Sequence, residues 1–251
     1  MTPISLEEIK IVIIDNPYDC MADSSARDLW AKIMALKIAG YRSEYPYGVL
    51  PVDTSDFYST HMALFVQHEN EGLKPILVCK NISLERHELF SAEEFMLVDH
   101  FKKANAPAHL QAIRDTVEVA KKSGKNLHYF GSYTTDPEIR GDKVFSILLK
   151  ELFLALHVNF HIAYGVEISA CAGAKKFKVD KMLEVWGYGK LKLRGEELPD
   201  YRPACIFGGD ATFFQTERFS DYAYSIAHKY KALWDARLHF ANPPLAEKRA
   251  A

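Results

Sequence analysis

The segment Thr135-Asp-Pro-Glu-Ile-Arg-Gly-Asp-Lys-Val-Phe-Ser-Ile-Leu-Leu149 decides the fold that this sequence predicts. Before it runs a strand-like stretch over residues 127–135, which is rich in Tyr, Phe and Thr. From Gly141 onward the apolar residues lie nearly all round a helix, which is typical of a helix buried in a protein core. A loop that enters such a helix can bind an anion, because its backbone N–H groups and the helix N-terminus point to the same place. The segment therefore predicts a strand, an anion-binding loop and a central helix.

The rest of the chain alternates strand-like and helix-like segments around this core. Runs of β-branched residues predict strands, and apolar residues at i, i+3 and i+4 predict helices. The predicted strands cover residues 10–15, 61–68, 75–82, 127–135 and 161–170, with two short strands within 205–216. The predicted helices cover residues 26–36, 92–123, 141–159, 177–186 and 221–238, and a long connection covers 40–56. Asp23, Ser24 and Ser25 are candidate caps for the first of these helices.

We expect a single α/β domain. The 251 residues suffice for a large core without disulfides or metals, and no repeat or break in composition divides them. The predicted domain covers residues 1–240, with a core at about 10–195 and a C-terminal extension at about 196–240. A flexible tail is expected at residues 241–251.

The charge and the cysteines exclude several classes of protein. Lys and Arg total 31 against 33 Asp and Glu, a net charge of -2, so a protein that mainly wraps nucleic acid is excluded. The 4 cysteines are scattered without a Cys-x-x-Cys pair, which favours free thiols over a disulfide framework. The N-terminus has no signal-like pattern, and no uninterrupted apolar stretch of about 18 residues is present. We therefore expect a cytoplasmic protein without a membrane span.

The opening segment resembles motif A of the GNAT acyltransferase superfamily, in which a strand ends in Pro-Glu-x-Arg-Gly-x-Gly-x-Gly and continues as a long helix. The matching residues are Pro137, Glu138, Arg140, Gly141 and Leu148, whereas Lys143 and Phe145 replace the second and third glycines. Further along, Met182-Leu-Glu-Val-Trp-Gly-Tyr188 looks like the closing Tyr-Glu-Lys-x-Gly-Phe of the family. Leu183 takes the position of its Tyr, which often protonates the leaving thiolate. The resemblance covers about 127–188 and, more loosely, about 27–90.

The resemblance implies both a fold and a donor site. The fold is α/β and GNAT-like, with a mixed, mostly antiparallel central sheet flanked by helices and a C-terminal strand-helix extension. The implied donor is an acyl-CoA or acyl-carrier-protein (ACP) thioester, and the implied acceptor is a small-molecule amine, with no metal. The residues that would bind the donor are Tyr133, Thr134, Thr135, Arg140, Gly141, Asp142, Lys143 and Val144.

The first half is most similar in outline to the acyl-homoserine-lactone synthases and the N-acyl amino acid synthases. Those enzymes have an Arg-x3-Phe helix, a later Trp and an Asp-x2-Asp pair before the second strand. The corresponding residues here are Lys37, Tyr41, Tyr47, Asp53 and Asp56, of which only the Asp pair matches in type. The strand-three Arg and strand-four Glu of the family fall near Lys80 and His128. These replacements count against a homoserine-lactone product and leave amine acylation intact.

Acylation of an amine needs a base and hydrogen-bond donors for the thioester oxygen. His128 is the preferred catalytic base, because an ordinary imidazole titrates at about pH 6.5, and the alternative is a core or surface histidine without a catalytic role. Asp53 and Asp56 are predicted to hold the amine or to order the loop over the acceptor. Backbone N–H groups near Tyr133 and Thr134 would bind the thioester oxygen where the strand splays.

Other sites compete with this interpretation. His157 and His161 have metal-ligand spacing, but the predicted helix ends near Asn159 and no third ligand is evident, so no metal is predicted. Cys171 is either a nucleophile paired with a histidine or, like most buried cysteines, inert. A basic cluster is either a solvated helix face or a docking site for an acidic carrier protein. Its members are Lys175, Lys176, Lys178 and Lys181.

Two other functions stay open beside acyl transfer to an amine. One is a GNAT-like acyl- or CoA-binding or regulatory protein without catalysis, which the departures at Lys143, Phe145 and Leu183 would allow. The other is hydrolysis of an acyl thioester, in which water replaces the amine. Thiol release with and without amines would separate these functions.

Overall fold

The computed structural model describes residues 4–45, 51–68, 72–90, 94–202 and 209–241. Its strands are β1 Ile9–Asp15, β2 Thr60–His68, β3 Gly72–Ser83, β4 Leu127–Thr135, β5 Ile168–Ala174, β6 Gly189–Lys190, β7 Lys192–Leu193, β8 Glu196–Glu197, β9 Ala211–Thr216 and β10 Leu238–Ala241. Its helices are α1 Pro17–Cys20, α2 Ser24–Glu44, α3 Leu84–Phe90, α4 Met96–Lys103, α5 Pro107–Ser123, α6 Lys143–Tyr164, α7 Val179–Trp186, α8 Asp221–Lys229 and α9 Lys231–Asp235. Short 3₁₀ turns cover Leu6–Glu8, Thr54–Phe57, Pro137–Ile139 and Lys175–Phe177.

The central sheet is mixed and has the strand order β10-β1-β2-β3-β4-β5-β9-β6. Its neighbours run antiparallel except for the pairs β1–β10 and β4–β5, which run parallel. A parallel pair needs a long crossover connection, and α6 provides it between β4 and β5. The predicted fold class, a mostly antiparallel sheet flanked by helices with strands and helices added at the C-terminal end, is confirmed.

Helices cover both faces of this sheet. On one face, α6 packs with α7, α8 and α9 against side chains that include Ile13 and Leu64. On the other face, α2 packs against side chains that include Val12 and Phe65, while α4 and α5 cover β4, β5 and β9. Successive strand residues point to opposite faces, so a sheet covered on both sides has strands that are apolar throughout.

The helix α6 forms the centre of the largest core cluster. Phe153, Leu156 and Phe160 on this helix are 0% exposed. The span Val144–Tyr164 is long and apolar enough to cross a membrane, but 67% of its apolar stretch is buried inside the protein. α6 is therefore the core helix that its continuous apolar pattern predicts.

The helix α6 is longer than predicted, and the strand after it is shorter. The helix continues to Tyr164 and ends where Gly165 adopts a left-handed φ of 61°. The prediction of a strand from His161 is therefore wrong, and β5 begins at Ile168. Phe160 and Tyr164, at helical i, i+4 spacing, stack with ring centroids 4.2 Å apart, which keeps this last turn helical.

Two predicted helices are each divided in two. The helix predicted over residues 92–123 is α4 followed by α5, because Asn105 adopts a left-handed φ of 52° and Pro107 begins a new helix. The helix predicted over residues 221–238 is divided at Tyr230 into α8 and α9. In both cases the apolar spacing continues across the break, so the spacing alone predicts one long helix.

The connections and the C-terminal end also differ from the prediction. The connection predicted over residues 40–56 is shorter, because α2 extends to Glu44. Ala241, which the sequence places in the tail, belongs to β10 and pairs with Asp15 of β1. Of the two short strands predicted within residues 205–216, β9 is present. Parts of these predictions lie outside the described residues, namely 46–50, 203–208 and 242–251.

The strands β4 and β5 pair only over part of their length. Their last pair is Phe130 with Cys171, although β4 continues to Thr135 and β5 to Ala174. At the same level the register between β3 and β4 shifts by a β-bulge, and Ser132 adopts a left-handed φ of 55°. Because a bulge bends its strand, β4 parts from β5 here and leaves its last residues open toward the following loop.

The helix α2 lies directly on this last part of β4. A Cβ atom built on Gly40 would lie 2.1 Å from Oγ1 and 3.3 Å from Cβ of Thr134. A side chain at Gly40 fits only if the side chain of Thr134 turns away or the helix or the strand moves. Glycine at this position therefore sets the distance between α2 and β4.

Gly40→Ala is expected to lower the free energy of unfolding by about 1–2 kcal/mol, because overpacking outweighs a gain of about 1 kcal/mol in helix propensity. Urea unfolding followed by circular dichroism measures the difference. Gly141→Ala is the matched control: no atom lies within 4 Å of a Cβ built there, so its stability should stay within about 0.5 kcal/mol of the wild type. Equal stability of Gly40→Ala and the wild type would contradict the close approach.

Candidate active site

The predicted donor loop follows the open end of β4. The chain first makes the turn Pro137–Ile139, and the carboxylate of Asp136 caps this turn by accepting a hydrogen bond from Glu138 N at 3.0 Å. Ile139 is buried and anchors the turn in the core. α6 then begins at Lys143. We call residues 136–142 the donor loop.

Two features of the donor loop leave space for a ligand. A Cβ atom built on Gly141 would meet no other atom within 4 Å, so the loop is open on this side. Phe145, which replaces a glycine of the motif, is turned into the core and is 8% exposed. Val144 lies at the surface and is 82% exposed. The phenyl ring therefore does not cover the loop.

The N-terminus of α6 is capped by a carboxylate of the protein itself. Asp142 Oδ1 accepts hydrogen bonds from the backbone N–H groups of Val144 at 3.0 Å and Phe145 at 2.9 Å. An acid at this position satisfies the donors that a bound phosphate would otherwise use. Asp142, predicted as a donor-binding residue, is thus the helix cap, and a phosphate reaches these N–H groups only if its side chain turns away.

Arg140 joins the donor loop to the last turns of α2. Its Nη2 donates to the carbonyl oxygens of Thr135 at 2.9 Å and Gly40 at 3.2 Å. Its Nη1 donates to Ser43 Oγ and to the carboxylate of Glu44, each at 2.9 Å. Backbone carbonyl groups therefore fix one side of the guanidinium, while the other side holds a carboxylate.

Aromatic rings line the core beneath the open end of β4. Tyr133 stacks on Phe153 with ring centroids 4.3 Å apart, and Trp186 of α7 meets Phe153 at 5.0 Å. Burial, with Cys79 acting in the same direction, raises the pKa of Tyr133 to about 12, so its hydroxyl is protonated at neutral pH. Leu183, which replaces the family's Tyr, is fully buried and has no proton to give.

The structure brings the predicted donor-binding residues to one end of the sheet. Thr134 Oγ1 and Thr135 Oγ1 accept hydrogen bonds from Arg140 at 3.3 Å and 3.2 Å. Tyr133 precedes them on β4, and Asp142 closes the donor loop at the start of α6. Their proximity follows from the short path of the chain between β4 and α6.

A buried cluster of charges lies between α2, the turn Thr54–Phe57 and β3. Asp56 forms ion pairs with Lys37 and, at 3.3 Å, with Lys80, and the side chains of Lys37 and Asp56 are 0% exposed. Lys80 also donates to Ser55 Oγ at 2.6 Å. The fold thus brings into contact three positions that the sequence resemblance aligns with charged residues of the family.

The charges in this cluster depend on one another. Burial opposes the charge of Asp56, but Lys80, Lys37 and His61 together outweigh it and lower the pKa of this carboxyl. Burial and the charge of Lys80 lower the pKa of Lys37 to about 8. Asp56 is therefore ionised and occupied by two ammonium groups, so of its two predicted roles the geometry suits ordering the turn and not binding an amine.

Asp53 is the acid of the predicted pair that a substrate can reach. Its side chain is 56% exposed and lies 3.4 Å from Lys80 Nζ. It also caps the turn by accepting a hydrogen bond from Ser55 N at 2.8 Å. Tyr47, which the resemblance aligns with the family's Trp, lies outside the described residues.

His128 lies far from the donor loop. Thr134 stands six residues further along β4, a separation of roughly 20 Å at the usual rise of a strand. The imidazole is near Phe160 of α6 and is buried. Burial, with Arg86 acting in the same direction, lowers the pKa of His128 to about 3. The prediction of a base with an ordinary imidazole pKa is therefore wrong.

His157 and His161 lie side by side on α6, with ring centroids 4.3 Å apart, and the helix continues past both. His157 Nε2 is 2.7 Å from the hydroxyl of Tyr188. Burial lowers the pKa of both imidazoles. Within the described ranges, no group of three or more His, Cys, Asp or Glu is arranged to hold a metal ion. Burial also raises the pKa of Cys171 well above its usual value, so its thiol is protonated and unreactive.

The predicted basic docking cluster is largely neutralised by neighbouring acids. The ion pairs are Lys175 with Asp200, Lys176 with Glu44 and Lys181 with Glu184. Glu44 therefore meets both Arg140 and Lys176, a junction that the sequence analysis does not single out. The sequence contains one indication of this junction, which is the position of Glu44 in the last turn of α2. An acid there opposes the helix dipole and is disfavoured unless cations lie nearby.

Comparison with known proteins identifies the fold. No family model matches the sequence, and no curated protein matches it. BjaI, a CoA-dependent acyl-homoserine lactone synthase solved with MTA, has a TM-score of 0.54 at 11% identity, over 96% of this chain and 98% of that chain. The same enzyme with SAM and isopentyl-CoA gives a TM-score of 0.53 at 10% identity, over the same shares of each chain. FeeM, an N-acyl amino acid synthase from uncultured soil microbes, gives 0.47 at 11% identity, over 83% of this chain and 90% of that chain. The chain therefore has the GNAT fold that its motif predicts.

Asp56→Asn is expected to lower the free energy of unfolding by about 3 kcal/mol, because it leaves the buried Lys37 without a counter-charge and Lys80 with only the half-exposed Asp53. Urea unfolding at neutral pH measures the loss. Asp53→Asn is the matched control and should cost less than about 1 kcal/mol, since this side chain is half exposed and asparagine also caps turns. Similar losses in the two variants would show that the buried ion pairs are not what stabilises the turn.

Stability is expected to fall as the pH drops below about 6.5. Burial lowers the pKa of His128 and His157 to about 3 in the folded protein, whereas the unfolded chain has the ordinary value of about 6.5. Between these values the unfolded chain binds more protons than the folded protein. Each of these histidines therefore lowers the free energy of unfolding by about 1 kcal/mol for each unit by which the pH falls. Urea unfolding at about pH 7.5, 6.5 and 5.5 measures this dependence.

His128→Met should reduce the slope of the unfolding free energy against pH by the equivalent of about one proton, because it removes one buried imidazole. His228→Gln is the control, since His228 is exposed near the end of α8 and its ring is not taken out of water by folding. A slope that His128→Met leaves unchanged would contradict the buried, neutral state of His128.

Proposed function

We propose that this protein is an N-acyltransferase that moves an acyl group from an acyl-CoA or ACP thioester to the amine of an amino acid or related small molecule. The observation that best supports this is the open end of β4, where pairing with β5 stops at Phe130 and Cys171 and an Arg-Gly loop follows. The same fold serves a CoA-dependent enzyme in BjaI, which was solved with isopentyl-CoA.

The donor would bind at the open end of β4. CoA and the carrier protein both present their acyl group on a phosphopantetheine arm, so the donor loop would meet the same chemistry with either. The arm would follow the edge of β4 between the parted strands. Backbone N–H groups at the bulge around Ser132 and Tyr133 are suited to bind the thioester oxygen, because a bulge takes residues out of regular pairing.

The reaction needs few groups from the protein. The amine nitrogen attacks the thioester carbonyl carbon, the C–N bond forms, the C–S bond breaks, and the proton lost by the nitrogen passes to the thiolate or to solvent. A thiol has an ordinary pKa of about 8.5, so a thiolate leaves without a strong acid beside it. Leu183 in place of the family's Tyr is compatible with this chemistry, and correct positioning supplies much of the rate.

The acceptor amine would bind beside Asp53. Its carboxylate is half exposed and stands at the rim of the buried cluster. Asp56, held by Lys37 and Lys80, fixes the turn that carries Asp53. We give His128 no role in proton transfer, because its low pKa makes it a poor base at neutral pH.

We propose that the protein works in a reducing compartment, the cytoplasm. Cys79 and Cys171 are free and buried. Free cysteines are the rule where thiols are kept reduced.

One observation favours a second candidate, a protein that binds acyl thioesters without turning them over. The carboxylate of Asp142 occupies the N-terminus of α6, where the family motif binds the donor through backbone N–H groups. A binding protein would take up acyl-CoA without releasing thiol, and a thioesterase would release thiol without any amine.

The purified protein is expected to release thiol from acyl-CoA only when an amine is present. A panel of acyl-CoA chain lengths is incubated with amino acids and polyamines, free thiol is measured colorimetrically, and the amide is identified by mass spectrometry. Release without amine would indicate hydrolysis. Binding of acyl-CoA without release would support the second candidate and contradict the acyltransferase.

Gly141→Trp is expected to reduce amine-dependent thiol release at least about tenfold, because the indole fills the open space over the donor loop. A loss of that size corresponds to about 1.4 kcal/mol of transition-state binding. Ser225→Trp, at an exposed position of α8, is the matched control and should retain full activity. Full activity in Gly141→Trp with unchanged unfolding stability would show that the donor does not bind at this loop.

A further inference from the structure

Glu44, the last residue of α2, holds two cations that come from two different loops. Arg140 of the donor loop donates to Glu44 Oε1 at 2.9 Å, and Lys176, from the turn after β5, lies 3.0 Å from Oε2. The two loops follow the two strands that part from one another. The carboxylate therefore bridges the opening between them.

The bridge made by Glu44 is weak enough to be exchanged. The C-terminal end of a helix carries a partial negative charge, which repels an acid at this position. The side chain of Glu44 is 27% exposed and that of Lys176 is 51% exposed. Ion pairs of this kind contribute at most about 1 kcal/mol. Another anion can thus take the place of the carboxylate at little cost to the fold.

The two cations do not depend on Glu44 for their positions. Two backbone carbonyl groups hold the guanidinium of Arg140 through Nη2, and Nη1 donates to Ser43 Oγ as well as to the carboxylate. The ammonium of Lys176 lies over the rings of Tyr45 at 5.3 Å and Phe177 at 4.9 Å. Such cation–π contacts orient an ammonium group. Without the carboxylate, the guanidinium of Arg140 and the ammonium of Lys176 would still point to the space that the carboxylate occupies.

We propose that Arg140 and Lys176 form the site for the phosphate of a pantetheine arm, and that Glu44 occupies this site until the donor displaces it. This inference rests on the proposed function and goes beyond it by assigning Lys176 and Glu44. The pyrophosphate of CoA carries more charge and more acceptor oxygens than a carboxylate, and the phosphodiester of a carrier protein carries the same single charge, so either can compete with Glu44 for a guanidinium and an ammonium. Acyl thioesters that lack a phosphate cannot displace Glu44, so they bind without this contact and more weakly than those that carry it.

The test compares two ligands that differ only in the phosphate, 4′-phosphopantetheine and pantetheine. Glu44→Gln removes the competing charge, so the Kd for 4′-phosphopantetheine should fall about fivefold while the Kd for pantetheine stays unchanged. Lys176→Met removes one cation and should raise the Kd for 4′-phosphopantetheine about fivefold. Isothermal titration calorimetry at low ionic strength measures both constants, and thermal melts verify that each variant is folded.

Glu184→Gln is the matched control. It removes the same charge from an exposed ion pair with Lys181 on α7 and should leave both constants at their wild-type values. The inference is overturned if Glu44→Gln does not tighten 4′-phosphopantetheine, if pantetheine gains equally, or if Glu184→Gln has the same effect.

Further titrations separate the two sources of the phosphopantetheine group, and they also separate this inference from the proposed function. CoA and a phosphopantetheine-loaded carrier protein are titrated in parallel, and the site serves the one whose Kd responds to Glu44→Gln. If the wild type binds and turns over a donor that Glu44→Gln does not bind more tightly, only this inference fails. If Glu44→Gln tightens 4′-phosphopantetheine while no amine ever releases thiol, the acyltransferase proposal fails and the phosphate site stands. If no variant binds any of these ligands, both are overturned.

Discussion

The structure depends on the burial of α6 against the sheet. This helix is the crossover that makes β4 and β5 parallel neighbours, and its apolar residues form the centre of the largest core cluster. The pairing ends at Phe130 and Cys171, because a bulge turns β4 away from β5. Since α6 starts just after β4, its N-terminus must lie at this opening. One buried helix thus fixes both the sheet and the place where the donor loop stands.

The charges around the opening are balanced by carboxylates of the protein itself. Asp56 pairs with two buried lysines, of which Lys80 also meets Asp53, and Asp142 caps α6. Glu44 holds Arg140 and Lys176. The first arrangement is buried and cannot be exchanged without a large loss of stability, whereas the other two are accessible to solvent and can be exchanged. The fold therefore separates a permanent charge cluster from two replaceable anions.

The parts of the fold that the sequence predicts are those whose signals are local. Asp23, one of the three predicted candidates, caps α2, because a cap needs only its own helix. The strand, loop and helix over residues 127–149 follow one another directly. The burial of His128 and Lys80 could not be predicted in this way, since α6 and α2 cover them from distant parts of the chain. Glu44 was missed for the same reason: its two partners come from loops about 100 residues or more away. The strand, loop and helix were therefore predictable, and the protonation of the predicted base was not.

The helix α2 physically connects the two halves of the candidate site. Lys37 belongs to the buried cluster that fixes the turn with Asp53, and Glu44 lies seven residues later on the same helix. Seven residues are about two turns, or roughly 10 Å, so both ends move with one rigid element. Between them Gly40 presses the helix against Thr134 of β4. The distance between the proposed acceptor side and the proposed donor side is therefore set by a single helix, which packs closely on β4 at Gly40.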